Sequence, residues 1–453
     1  MRCSLLLLVL VGCGDPKDDP KPKAEEPKPG ALDRAKPIRT GSDWPTILGP
    51  TRDGVSTEKG ILTTWPKEGL KKLWECDLGQ GYAPPVTADG KLYHFDRFGD
   101  AARLTARNAE TGELLWKYEY PTEYEDQYGY DPGPRASPVV DGDHIYIHGV
   151  DGVLACITTA GKEVWKVDTK AKYRFHQNFF GVGSVPLVAD DLLIVPVGGS
   201  KGAKPFDFRE VKGDGSGFVA FDKKTGAEKY KATDELGSYS SPVLATLHGK
   251  KTAVYFARGG LVGIDPATGK ERFKFPWRAR SLESVNAANP VIVGNQILIA
   301  ECYEKGAALV EIRADFKVKE LWSDKDPDKD EKSLLAHWAT PILDGKYVYG
   351  CSGRHQNEGD IRCVELATGA VKWKQTKTTR TTFTKIDGHL LALGEDGTLT
   401  LFKPTPDKFD KVAQWKDVPE LEYPCWAPPV VSRGLLYLRG KGKLACYELV
   451  PKK

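Results

Sequence analysis

One phrase recurs through this chain, and its recurrence limits the fold more than any other feature. It opens with a proline-led apolar run that ends at a tight turn. Copies begin as "APPVTADG" at Ala83, "SPVVDG" at Ser137, "VPLVADD" at Val185 and "SPVLATLHG" at Ser241. "NPVIVGN" at Asn289, "TPILDG" at Thr340, a degenerate "FTKIDG" at Phe383 and "PPVVSRG" at Pro428 follow. An alternating apolar run comes next, such as "KLYHF", "HIYIHG" or "LLYLRG". A third run, a turn and a closing aromatic complete the phrase, as in "NAETGELLW", "DKKTGAEKY", "DPATGKERF" and "LATGAVKW".

The openings stand about 40 to 55 residues apart, and each interval holds four short alternating runs. That period predicts an all-β ring, an eight-bladed β-propeller of four-stranded antiparallel blades. The closing aromatics are Trp116, Trp165, Tyr230, Phe273 or Phe275, Trp322, Trp373 and Trp415, one fewer than the openings. The eighth, Trp74 in "KKLWECDL", precedes the first opening. Its strand is therefore expected to join the C-terminal "KLACYEL" and close the ring, leaving only short sheet edges. Proline suits the first residue of an innermost strand, where a missing N–H costs little. The Asp-Gly and Thr-Gly pairs supply turns that need positive φ. The tryptophans are expected to pack between neighbouring blades. The 47 glycines and 31 prolines agree with a turn-rich, strand-built chain. A net charge of +3 without a basic block excludes the usual nucleic-acid footprint.

The N-terminus reads differently. "MRCSLLLLVLVGC" has an arginine, an apolar run from Leu5 to Val11 and a Gly-Cys pair, too short to span a bilayer. It suits a signal peptide, residues 1–13, and "LVGC" resembles the bacterial lipobox, with Cys13 as the lipid-modified residue. Residues 14–42, with "DPKDDPKPKAEEPKPG", are read as a Pro-rich charged tether without a core of its own. Residues 43–453 are read as the propeller. The expected location is the bacterial cell envelope, lipid-anchored with the domain in the periplasm, the outer membrane favoured over the inner.

The Thr-Gly-x-x-x-Trp phrases resemble the repeat of pyrroloquinoline quinone (PQQ) enzyme-type propellers, the quinoprotein dehydrogenase-like superfamily. WD40 propellers need Trp-Asp pairs, and the chain has none. With its lipobox the chain is similar to the BamB-type outer-membrane lipoproteins. The "DWPTILGPTRDGVSTEKGILTTWP" lead-in looks more like planctomycete-type PQQ-like propellers. The quinone enzymes of the superfamily imply an adjacent Cys-Cys pair, a calcium site and an Asp base. No Cys-Cys pair exists here and no acidic ligand set is recognisable, so neither PQQ nor calcium is expected. The loop "DKDPDKDEKSLL" begins like a calcium loop, but Lys329 and Leu335 stand where Gly and Glu are needed. "KGDGSG" at Lys212 reads as a turn. No hydrolase or P-loop motif occurs.

Beyond Cys3 and Cys13 seven cysteines remain, so at least one is unpaired. Cys351 and Cys363 flank one hairpin, and Cys76 and Cys446 lie on adjacent strands of the closing blade. Each couple is a candidate disulfide, with buried thiols as the alternative.

In a four-stranded blade the short hairpins fall on one face. The links between blades and the second-to-third strand loops fall on the other. Every long insertion belongs to the second set, including "YEYPTEYEDQYGYDPGP", "DTKAKYRFHQNFFGVG" and "GSKGAKPFDFREVKGDGSG". One elaborated face on a rigid ring is the layout of a binding scaffold. The residues just before each innermost strand should ring its mouth: Tyr82, Arg135, Ser184, Tyr239, Asn286, His337, Trp338, Thr382 and Trp426. Tyr, Trp and Arg are anchor types at interfaces. The favoured reading is a non-catalytic, membrane-tethered scaffold that binds a protein partner or envelope ligand there. The rival is a PQQ-dependent or other oxidoreductase.

Overall fold

Each proline-led opening begins an innermost strand, since proline ends the preceding link without removing a ladder hydrogen bond. In the computed structural model, which describes residues 25–28, 39–175, 179–201, 211–281 and 284–452, eight blades of four antiparallel strands follow from this rule, blade 7 carrying a fifth, parallel strand from the lead-in. Blade 1 runs Val86–Ala88, Lys91–Phe98, Ala101–Asn108 and Leu114–Pro121. Blades 2 to 7 repeat that order, beginning at Val139, Leu187, Val243, Val291, Ile342 and Thr381. Blade 8 has only three strands from the C-terminus, Val430–Ser432, Leu435–Arg439 and Lys443–Glu448. Its outermost strand is Lys72–Asp77, which pairs antiparallel with Lys443–Glu448. The ring is thus closed by the Trp74 strand as expected. Residues 1–13, including Cys13, lie outside the described residues. No helix among the described residues is long and apolar enough to cross a membrane.

The closing aromatics couple neighbouring blades. Trp74 Nε1 donates to Ala109 O of blade 1 at 3.1 Å, and Trp116 Nε1 to Thr159 O of blade 2 at 3.0 Å. Trp165, Trp322 and Trp373 do the same toward Lys223, Leu366 and Thr405, at 2.8–3.2 Å. A second belt lies nearer the axis. Ser241 Oγ accepts from Val185 N, Asn289 Oδ1 from Ser241 N, and Thr340 Oγ1 from Asn289 N. The residue before each of these prolines therefore ties its blade to the one before.

Of the two readings open for the cysteine couples, single thiols are the one found. All seven described cysteines are free. Cys76 stands opposite Leu444 and Cys446 opposite Trp74, while Cys363 stands opposite Tyr349 and Cys351 opposite Ile361. Each couple is thus diagonal in its ladder, about 7–8 Å apart and beyond disulfide reach.

The lead-in segment fills the axis. It enters from the short-hairpin face, where Glu58 Oε1 accepts from Ser42 N and Arg433 N. Trp44 bridges Thr87 of blade 1, Pro45 O accepts from Val140 N of blade 2, and Val55–Ser56 returns parallel to the first strand of blade 7. At its deep end Arg52 donates to Pro242 O at 3.0 Å and Pro186 O at 2.8 Å. Burial lowers the Arg52 pKa to about 10. The axis is thus plugged by the chain's own lead-in.

Candidate functional site

Links between blades arrive at the open mouth carrying bulky residues, and these meet across the axis. The Tyr82 ring lies 4.4 Å from Trp426, and Trp426 lies 4.9 Å from Trp338. Trp338 Nε1 donates to Trp426 O. His337 packs on Trp338 at 4.8 Å and meets Tyr303 edge-on at 5.8 Å. Tyr303 shares a buried cluster with Phe179, Val285, Cys302 and Leu335, and Phe180 and Tyr239 pack against it. The Arg135 guanidinium, 5.5 Å from Tyr82 and 5.6 Å from Phe180, closes the circuit. Blades far apart in sequence are thus joined by one ring of aromatics.

Arginines lie over these rings. Arg380 stands 4.7 Å from Trp338 and 5.4 Å from Trp426, and Arg354 stands 4.4 Å from Tyr303. Such cation–π contacts strengthen when desolvated. Glu395, fully buried, fixes Arg380 through Oε2 at 2.6 Å and accepts from Trp426 Nε1 at 2.8 Å. Asp126 holds Arg135 at 2.8 Å. Burial, reinforced by the Arg380 and Arg354 charges, lowers the His337 pKa to about 3. Among the described residues its buried Nδ1 has no hydrogen-bond partner. Burial raises the Glu301 carboxyl to about 7, opposed by the N–H groups of Tyr303 and Lys305.

The nine rim residues separate into two groups. Tyr82, Arg135, Tyr239, His337, Trp338 and Trp426 join the ring. Ser184, Asn286 and Thr382 are buried and serve the backbone. Ser184 Oγ donates to Ser238 O, Asn286 Nδ2 to Ala257 O, and Thr382 Oγ1 to Ala427 O. In blade 7 the position equivalent to His337, counted back from the Asp-Gly turn, is Arg380. That blade has no opening proline, so its strand begins earlier, at Thr381. Tyr303, Arg354 and Glu395 were also missed, because they follow second strands rather than precede first ones.

The long loops add an exposed shelf beside the ring. Tyr128 is 51% exposed and Tyr130 is 65% exposed. Tyr128 lies 5.6 Å from Phe180, and Tyr130 lies 5.8 Å from it. The loop at Asp324 is held by its own side chains: Asp324 accepts from Ser333, and Asp326 from Asp328 N. No group of three His, Cys, Asp or Glu among the described residues is placed to hold a metal ion.

A family model described as outer membrane protein assembly factor BamB matches residues 58–203 and 100–375. No curated protein sequence matches the chain. Among solved structures, BamB from Moraxella catarrhalis is similar at 14% identity and a TM-score of 0.58. That likeness covers 85% of this chain and 99% of the other. The quinohemoprotein alcohol dehydrogenase from Comamonas testosteroni is similar at 14% identity and a TM-score of 0.52, covering 94% of this chain and 83% of the other. At such identities the likeness speaks for the fold alone.

Proposed function

We propose, from the premise that the chain belongs to the family described as outer membrane protein assembly factor BamB, that it is a non-catalytic envelope scaffold that binds a protein partner at its loop-rich mouth. The observation that carries this reading is the aromatic–arginine ring with exposed Tyr128 and Tyr130 at its edge. Hot spots of protein interfaces are rich in Tyr, Trp and Arg, set in places that exclude water. Here those side chains stand pre-packed on a rigid ring, so little side-chain entropy remains to be lost on binding. Anchoring through a lipid on Cys13, with the domain in the periplasm, belongs to the same reading. It is supported by the Leu5–Cys13 pattern and the family.

The rival oxidoreductase reading draws on the quinohemoprotein neighbour and the mouth arginines. A flat quinone stacked between two rings needs them about twice a stacking distance apart, roughly 7 Å. Tyr82, Trp426 and Trp338 already touch at 4.4 and 4.9 Å. These residues do not fit an intercalated quinone. Calcium-dependent dye reduction on adding PQQ and an alcohol would overturn the scaffold reading.

The test of the scaffold is recovery of envelope proteins with the purified chain. Tyr128→Ala/Tyr130→Ala and Trp338→Ala should each lose the same partner while keeping the wild-type melting profile to within a few degrees. Unchanged recovery by both variants counts against the mouth.

A further inference from the structure

A groove on the outer flank, between blades 8 and 1, is occupied by a piece of chain from outside the ring. Glu25–Lys28 lies against it, with Cys76 of blade 8 and Gly112 and Leu114 of blade 1 in the lining. Glu25 Oε2 is 2.8 Å from Arg107 Nη2, and Glu26 Oε1 is 2.7 Å from Lys117 Nζ.

The two pairs differ in weight. Glu26 is 70% exposed and Lys117 keeps a quarter of its side chain in solvent, and pairs so open to water contribute little. The Arg107 side chain is only 6% exposed, and its Nη1 is fixed by Gly112 O at 2.9 Å. Among the described residues Glu25 is the one carboxylate in ion-pair reach of Arg107. The other charges there are matched locally: Arg103 by Asp96, and Glu75 by Lys72 and Lys443. A nearly buried guanidinium is costly without an anion and binds a carboxylate strongly once held rigid. Pro27 restricts its own backbone and that of Glu26, so less chain entropy is lost on docking.

We propose that this groove is a recognition site for an acidic peptide segment, and that its resident occupant is the chain's own Glu25-Glu26-Pro27-Lys28. The N-terminal arm then leaves the propeller from the flank of blades 8 and 1. Glu25 lies twelve positions after Cys13, about 40 Å at full extension. A lipid at Cys13 would hold that flank toward the membrane. This consequence rests on the anchor reading, and the groove does not.

Cys76 reports occupancy, because it lines the groove as a half-buried thiol. Its alkylation by iodoacetamide, mapped by mass spectrometry, should be about five- to thirtyfold faster in full-length Glu25→Lys/Glu26→Lys than in wild type, as loss of 1–2 kcal/mol of docking implies. Both substituted side chains are solvent-exposed, and a melt within a few degrees of wild type, lowered only by the lost docking, checks that the variant keeps its fold. A fluorescent AEEPKPG peptide should bind that variant and bind wild type more weakly. Equal Cys76 rates, or a peptide that does not distinguish the two proteins, would overturn the proposal. Neither readout involves lipid, so failure of the anchor reading shows separately, as an unmodified Cys13.

Discussion

The turn glycines are sockets for the aromatic of the preceding blade. A Cβ on Gly112 would stand 2.6 Å from the Trp74 ring, one on Gly161 2.8 Å from Trp116, and one on Gly226 2.7 Å from Trp165. Their φ values of +71° to +85° already favour glycine. Gly226→Ala therefore meets both backbone strain and a clash, and should cost about 2–4 kcal/mol. Gly142, at φ +58° with open space around its Cβ, faces the strain alone, about 1 kcal/mol on the same change. Urea titration of the two variants separates these cases. Glu301 makes stability depend on pH. Its folded pKa of about 7 exceeds the ordinary 4.5, so the folded state holds the proton more tightly. That contribution is complete below about pH 4.5 and lost as pH rises through 7. Wild type should lose about 3 kcal/mol between pH 4.5 and 8 that Glu301→Gln does not lose, read from urea midpoints across that range.

Among the elements, the eight blades were legible because proline, turn and aromatic fall at fixed places in a strand-built unit, and each has one cheap position there. Trp74 could be assigned to the last blade because it was an aromatic without an opening. The axial plug was not legible. "DWPTILGPTRDGVS" has neither strand nor helix period, and its contacts reach blades 1, 2, 3, 4, 7 and 8 one at a time. Disulfide geometry was also out of reach, since the diagonal offset of each cysteine couple depends on register rather than on strand order. The plug carries its own prediction. Arg52→Leu leaves the carbonyls of Pro186 and Pro242 buried without their donors, and should destabilise by about 2–4 kcal/mol. Denaturant unfolding measures this, and a variant as stable as wild type would show that the plug does not brace blades 3 and 4.

For the whole molecule, closure by the Trp74 strand makes the ring one unit with a filled axis and two unlike faces. Short hairpins and the plug seal one face, and long loops build the other. Six of the nine expected rim residues belong to the aromatic circuit, because link ends converge wherever blades are radial. The other three were indistinguishable in sequence, since a small polar residue before a strand reads alike whether it faces the mouth or ties backbone. A partner is expected to dock on that open face. A photo-crosslinking amino acid at Tyr130, on the loop-rich face, should trap one defined envelope protein in living cells, and the same probe at Asp143, on the hairpin face, should trap none. Crosslinks from Asp143 but not from Tyr130 would contradict it.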